Sequence, residues 1–164
     1  MGSFCGIAGC TRIPDLFPMP AQKQPPAGPD PNYFFIRFTD RDAGDYIVRD
    51  IQTGDNQVWT FDHPELKFPL EPRPGLYFRM IFWIHFRTLH DTGPVTLVVK
   101  VNGHELGRVR CEHDGKYVFD QPVPMDWLRS GEPVRVLAEA SPLWTSPDGG
   151  AHLGYLMEEA GFHW

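Results

Sequence analysis

Leu76-Tyr-Phe-Arg-Met-Ile-Phe-Trp-Ile-His-Phe-Arg87 decides the fold of this chain. Side chains alternate sides along an extended strand, so Phe78, Met80, Phe82, Ile84 and Phe86 share one face. An unbroken apolar stripe of that length requires burial. The other face carries Tyr77, Arg79, Ile81, Trp83, His85 and Arg87, a mixed aromatic and basic row. After a turn at Gly93-Pro94 comes Val95-Thr-Leu-Val-Val-Lys-Val101, then Asn102-Gly103, then a strand-like run from His104 to Cys111. Asn-Gly between two such runs marks a two-residue hairpin, because both central residues of a type I′ turn need positive φ. Its register sets Lys100 opposite Glu105 and Val99 opposite Leu106, so turn chemistry and side-chain pairing agree. Asp114-Gly115 predicts a second hairpin. These signals specify an antiparallel β domain.

The rest of the composition fits that reading. A chain of 164 residues is long enough for one domain with its own core. Aromatic residues make up 13%, with 12 Phe and 5 Trp, more than a core alone requires. Seventeen Pro and sixteen Gly punctuate short strands. The net charge of −6 disfavours nucleic acid, which calls for a basic stripe. No apolar run reaches the roughly 18 residues of a membrane span. Cys5, Cys10 and Cys111 are an odd number, which excludes a complete disulfide framework and suits reduced thiols. The N-terminus has no basic region ahead of an apolar segment, so the expected location is cytoplasmic, with no membrane partner.

Residues 1–31 read as a proline-rich arm, and residues 32–164 as the β domain. Pro14, Pro18, Pro20, Pro25, Pro26, Pro29 and Pro31 favour extended, polyproline-like conformations. Ile13, Leu16, Phe17 and Met19 give the arm apolar groups with which to pack. Within the domain, strands are expected at Tyr33–Thr39, Tyr46–Ile51, Val58–Phe61 and Leu66–Leu70, with Thr53–Asn56 a turn and His63-Pro64 a break. Lys116–Gln121, Val134–Ala140 and Leu153–Phe162 follow the central hairpin. Asp126 caps a single helical turn ended by Gly131, and Ser141–Gly150 is a long loop. About eight or nine short strands with frequent turns mean a β-sandwich or barrel.

From Leu76 onwards the order of elements resembles a jelly-roll sandwich of the galactose-binding-domain-like class. The resemblance is carried by Val95–Gly103, Gly115–Phe119, Pro122–Leu128, Val134–Leu137 and Leu153–Leu156. Such domains serve as carbohydrate-binding modules and as accessory sandwiches in bacterial polysaccharide enzymes. The resemblance implies an all-β, antiparallel jelly-roll fold, and it transfers no ligand residue, since those modules bind through variable loops. Two shorter likenesses lie in the arm. Cys5-Gly-Ile-Ala-Gly9 is similar to the opening of class II glutamine amidotransferases, but that chemistry needs the cysteine's own α-amino group, and Met1 to Phe4 precede it. Ile7-Ala8-Gly9-Cys10 is similar to a bacterial lipoprotein box, with too few residues before it for an apolar segment.

Candidate binding residues follow from the aromatic row. A Trp or Tyr ring stacks on the apolar face of a pyranose while Arg and His donate to its hydroxyls. Tyr77, Arg79, Trp83, His85 and Arg87 offer that combination on an open sheet face; the competing reading buries Ile81 and Trp83 beneath other segments. Trp144 and Asp148, in the loop from Ser141, offer a second platform, against which stands a Trp144 folded back to plug the sandwich end. Asp40, Asp42 and Asp45 supply oxygens for a structural calcium ion, although their spacing is not that of an EF-hand and a solvated acidic turn is the preferred reading. No other cofactor is expected. The seven histidines show no zinc spacing, no serine sits in a nucleophile elbow, and no two carboxylates stand out as a glycosidase pair. The expected function is a non-catalytic carbohydrate-binding or accessory module, not an enzyme. The alternative is a structural protein that forms a homo-oligomer, or binds a protein partner, through its arm and aromatic face.

Overall fold

The computed structural model describes residues 33–52 and 57–164. The arm at 1–31, Cys5, Cys10 and the turn at 53–56 therefore lie outside the described residues. Two antiparallel sheets stack face to face. One contains β1 (Tyr33–Arg37), β11 (Leu156–His163), β4 (Tyr77–Ile84) and β7 (Gly115–Pro122), in that spatial order. The other runs β2 (Ile47–Ile51), β3 (Thr60–Phe68), β8 (Val134–Ser141), β5 (Val95–Val101), β6 (His104–Cys111). A short pair, β9 (Trp144–Thr145) and β10 (His152–Leu153), closes one end. The chain crosses repeatedly from sheet to sheet, and the result is an all-β jelly-roll sandwich. Among the described residues no helix is long and apolar enough to cross a membrane.

The alternation in β4 builds the core as expected: Phe78, Met80 and Phe82 are fully buried and Ile84 nearly so. They meet Phe68, Leu97, Val99 and Val136 from the opposite sheet. Phe68 lies 5.1 Å from Phe162 and 6.4 Å from Phe78, ring to ring, across the gap between the sheets. Each such side chain contributes about 1.5–3 kcal/mol on burial. One polar pin ties the sheets together. Thr60 Oγ1 accepts from the backbone N–H of Tyr155 and donates to its carbonyl, both at 3.0 Å. The fully buried Tyr155 hydroxyl donates to the carbonyl of Ala138, also at 3.0 Å. Burial raises the Tyr155 phenol above its ordinary range, so it stays a donor.

Several expectations are corrected. The apolar stripe ends at Ile84, because Phe86–Thr92 forms helix α1. His85 caps it, its Nδ1 accepting from the Arg87 N–H at 3.3 Å, and Gly93 at φ 77° stops it. Two helical turns are too short to show a period, and Phe86 is 57% exposed rather than buried. The Asn102-Gly103 turn forms with φ of 47° and 85° and sets Lys100 against Glu105. A bulge then places Val99 opposite Gly107, not Leu106. Asp114-Gly115 is not a hairpin: β6 and β7 belong to different sheets, and β7 pairs with β4. Pro64 does not break the strand but lies inside β3. Its missing N–H is tolerated there because the β2 ladder is irregular on that side and pairing with β8 begins only at Glu65. Cys111 is buried, which pushes its thiol up to about 11 and keeps it unreactive at neutral pH.

Candidate functional site

The outer face of the β1-β11-β4-β7 sheet carries the residues with unspent chemistry. In β4 the outward side chains are Tyr77, Arg79, Ile81 and Trp83, and register decides their neighbours. Trp83 is flanked by Leu156 and Lys116, Ile81 by Glu159 and Val118, Arg79 by Gly161 and Asp120, and Tyr77 by His163 and Pro122. Gly161 is required here, since a Cβ would collide with the Phe34 carbonyl and with Phe35.

A bulge in β11 creates the site's acid. Between Met157 and Glu159 the register shifts, so Met157 and Ala160 both face the core. Glu158 and Glu159, the two residues between them, then both lie on the outer side. Glu158 Oε2 accepts from the Trp83 indole N–H at 2.8 Å, and Oε1 from Lys116 Nζ, also at 2.8 Å. The hydrogen bond from Lys116, then that from Trp83, holds the Glu158 carboxyl below its ordinary value against a smaller opposing effect of burial. Trp83 is thereby fixed by its polar edge while 42% of its surface stays exposed. Lys116 also lies 5.8 Å from the Trp83 ring centroid.

Trp83 opens into a cleft of about 700 Å³. Arg37, Thr39, Gln57, His85 and Glu158 contribute polar groups to it, and Val58, Leu156 and Met157 an apolar floor. His85 packs 5.8 Å from the ring of Trp59, whose backbone bridges to Leu156. Beside the cleft, a second depression of about 470 Å³ is lined by Phe35, Arg37, Asp40, Arg79 and Glu159. Arg37 and Glu159 border both, and pair at 3.4 Å.

Trp83 and His85 thus share the cleft, Arg79 sits in the adjoining depression, and Tyr77 lies further along the same face, stacked on His163 at 5.2 Å. Arg87 is exposed on α1 and does not line either depression. Trp144 is 8% exposed and donates its indole N–H to Asp91 at 2.7 Å. It is a wall of the sandwich end and presents no ring to solvent. Asp148 is exposed in the turn before Gly150, away from the cleft lining. Among the described residues no three His, Cys, Asp or Glu side chains group as a metal site requires; Asp40 and Asp45 line different surfaces, and the exposed Asp42 lines neither. Arg37, Gln57, Lys116, Glu158 and Glu159 were not foreseen. Glu158-Glu159 did leave a trace, because Met157 and Ala160 are both apolar at a spacing that strict alternation forbids.

No protein-family model matches the sequence, and no curated protein is significantly similar to it. Among solved structures the chain is similar to latent PorU from Porphyromonas gingivalis, with 14% identity and a TM-score of 0.43. It is also similar to an acetyl xylan esterase from the rumen bacterium Butyrivibrio proteoclasticus, with 14% identity and a TM-score of 0.47. These matches cover 62% and 80% of this chain, but only 10% and 32% of the larger proteins. A third is the CBM36-1 domain of a multidomain xylanase from the hindgut metagenome of Trinervitermes trinervoides. There 79% of this chain and 97% of the other are covered, at 10% identity and a TM-score of 0.39. At such values the likeness says nothing of what this chain binds.

Proposed function

We propose that this protein is a non-catalytic carbohydrate-binding or accessory module whose platform is Trp83. One observation carries this reading: a half-exposed indole, locked at its N–H by Glu158, stands at the mouth of a cleft lined with donors and acceptors. A locked ring loses little freedom when a sugar stacks on it, and Arg37, Gln57 and His85 offer hydrogen bonds to hydroxyls. Glu158, held ionised by Lys116 and Trp83, serves as an acceptor and is poorly suited to act as a general acid. The test is a glycan array followed by titration with tryptophan emission as readout. Trp83→Ala should weaken binding of any hit by about tenfold or more while the fold persists. A hit whose affinity ignores Trp83→Ala would remove the reading.

A second reading, assembly through the same face, is favoured by Tyr77 and Val118, which are 39% and 51% exposed beside Ile81. Apolar side chains so arranged suit a protein surface. Gel filtration decides it. An oligomer that Val118→Lys dissociates would support assembly, and a monomer at high concentration would end it.

A further inference from the structure

We propose that the glycan taken by this face carries a carboxylate, as a uronic-acid residue does, and that Arg79 receives it. This deepens the carbohydrate reading and rests on it.

Arg79 is, among the described residues, the cation on this face without an anionic partner. Among the described residues its guanidinium makes no hydrogen bond and no ion pair, and its Nε is sealed from solvent. Three of the surrounding carboxylates are already engaged, and Asp40, which borders the same depression, makes no ion pair with Arg79. Asp120, directly across in β7, accepts from His163 at 2.9 Å; Glu159 pairs with Arg37; Glu158 pairs with Lys116. A guanidinium partly withdrawn from water without an acceptor is costly, and its planar fork matches the two oxygens of a carboxylate. Arg79 opens into the depression that shares Arg37 and Glu159 with the Trp83 cleft. Four residue steps along β4 separate it from Trp83, roughly 14 Å at ~3.4 Å per step. That span exceeds one sugar ring, so an oligosaccharide stacked on Trp83 extends along the strand to Arg79. Asp40 and Glu159 border the same depression, and the net charge is −6. A densely charged polyanion is therefore repelled. The ligand that fits is mostly neutral, with a single carboxylate placed on Arg79.

The experiment uses the full chain with gluco-, galacto- and manno-configured tetrasaccharides. Each is paired with a version in which one C6 hydroxymethyl is oxidised to a carboxylate. The expected result is an oxidised form binding about tenfold or more tightly than its neutral twin. Arg79→Gln should bring the two forms level. Added salt should erode the preference in the wild type and leave Arg79→Gln unchanged. Equal binding of both twins, with both lost in Trp83→Ala, would overturn the acidic ligand while the carbohydrate reading stands. A preference that survives Arg79→Gln, or disappears in Arg37→Gln instead, overturns the assignment to Arg79. If Arg79→Gln fails to fold, Arg79→Lys replaces it, since it keeps the charge and loses the fork. The preference must then fall several-fold, and an unchanged one overturns the proposal. No binding of any probe, or binding indifferent to Trp83→Ala, removes the carbohydrate reading and this inference with it.

Discussion

The outer faces of the two sheets share a backbone pattern and differ in how their charges are spent. On the β2-β3-β8-β5-β6 sheet, Glu65 takes Arg49 at 3.1 Å and Arg135 at 2.9 Å. Glu139 takes His63 at 2.7 Å and Lys100 at 2.9 Å, and Glu105 takes Arg108 at 2.7 Å. Burial alone would raise the Glu139 carboxyl, but the hydrogen bonds from Lys100 and His63 outweigh it and hold the group low. Each cation in these groups already has its anion, so this face has little left to offer a ligand except solvation. On the other sheet the pairs are fewer and apolar groups stand between them: Tyr77, Trp83 and Val118 are exposed, and among the described residues Arg79 has no anion. Exposed charge alone does not mark a binding face; unsatisfied chemistry beside an immobilised ring does.

The contrast can be broken from beneath. Phe82 is fully buried under the Trp83 end of β4, 5.3 Å from the Tyr155 ring and 5.6 Å from that of Tyr117. Phe82→Ala should cost about 3–5 kcal/mol in chemical denaturation, since it leaves a cavity as well as losing transfer energy. A loss below about 1 kcal/mol would mean the core does not close as described. The next largest effect separates the faces directly. Trp83→Ala should weaken glycan binding by at least about tenfold, ~1.4 kcal/mol, whereas Glu139→Gln should leave the affinity unchanged in the same titration. Equal losses would erase the difference between the faces. Smaller still is the stability change in Glu139→Gln, expected at under about 1 kcal/mol because the triad is partly exposed and screened.

Acid gives the finest test. The Glu158 carboxyl has a folded pKa below its unfolded one. Its contribution is therefore complete above the ordinary glutamate value of about 4.3 and is lost as pH falls through the lowered folded value. Emission of the wild type minus that of Trp83→Phe should hold steady through neutral pH and change only below about pH 4.3. A transition near pH 6 would show that Glu158 does not hold the indole.

Local signals made much of the fold legible. The alternation from Phe78 to Ile84 and the Asn102-Gly103 turn depend on nearest neighbours, and both emerged as read. Where sheet membership mattered the sequence was silent. Asp114-Gly115 looks like any hairpin turn, yet the chain there leaves one sheet for the other, a choice made by the partner strand β4. His85 and Phe86 continue the strand alternation on paper, while an imidazole cap turns the chain into α1. The site was half visible. Tyr77, Arg79 and Trp83 lie on one strand and could be read together, whereas Arg37, Gln57, Lys116 and Glu158 arrive from four separate segments through pairings that no local pattern encodes. Trp144 resembled a platform because its loop is polar; its ring is held by Asp91, distant in the sequence.

The bulge in β11 gives its two glutamates an unusual hereditary position. Removing a residue from a regular strand turns everything beyond it to the opposite face and exposes the core. Glu158 and Glu159 are the exception: loss of either codon yields the same chain, in which Met157, one glutamate and Ala160 alternate in, out and in. The bulge that brings Glu158 to Trp83 can therefore be gained or lost in a single step while the apolar order of the strand stays in phase.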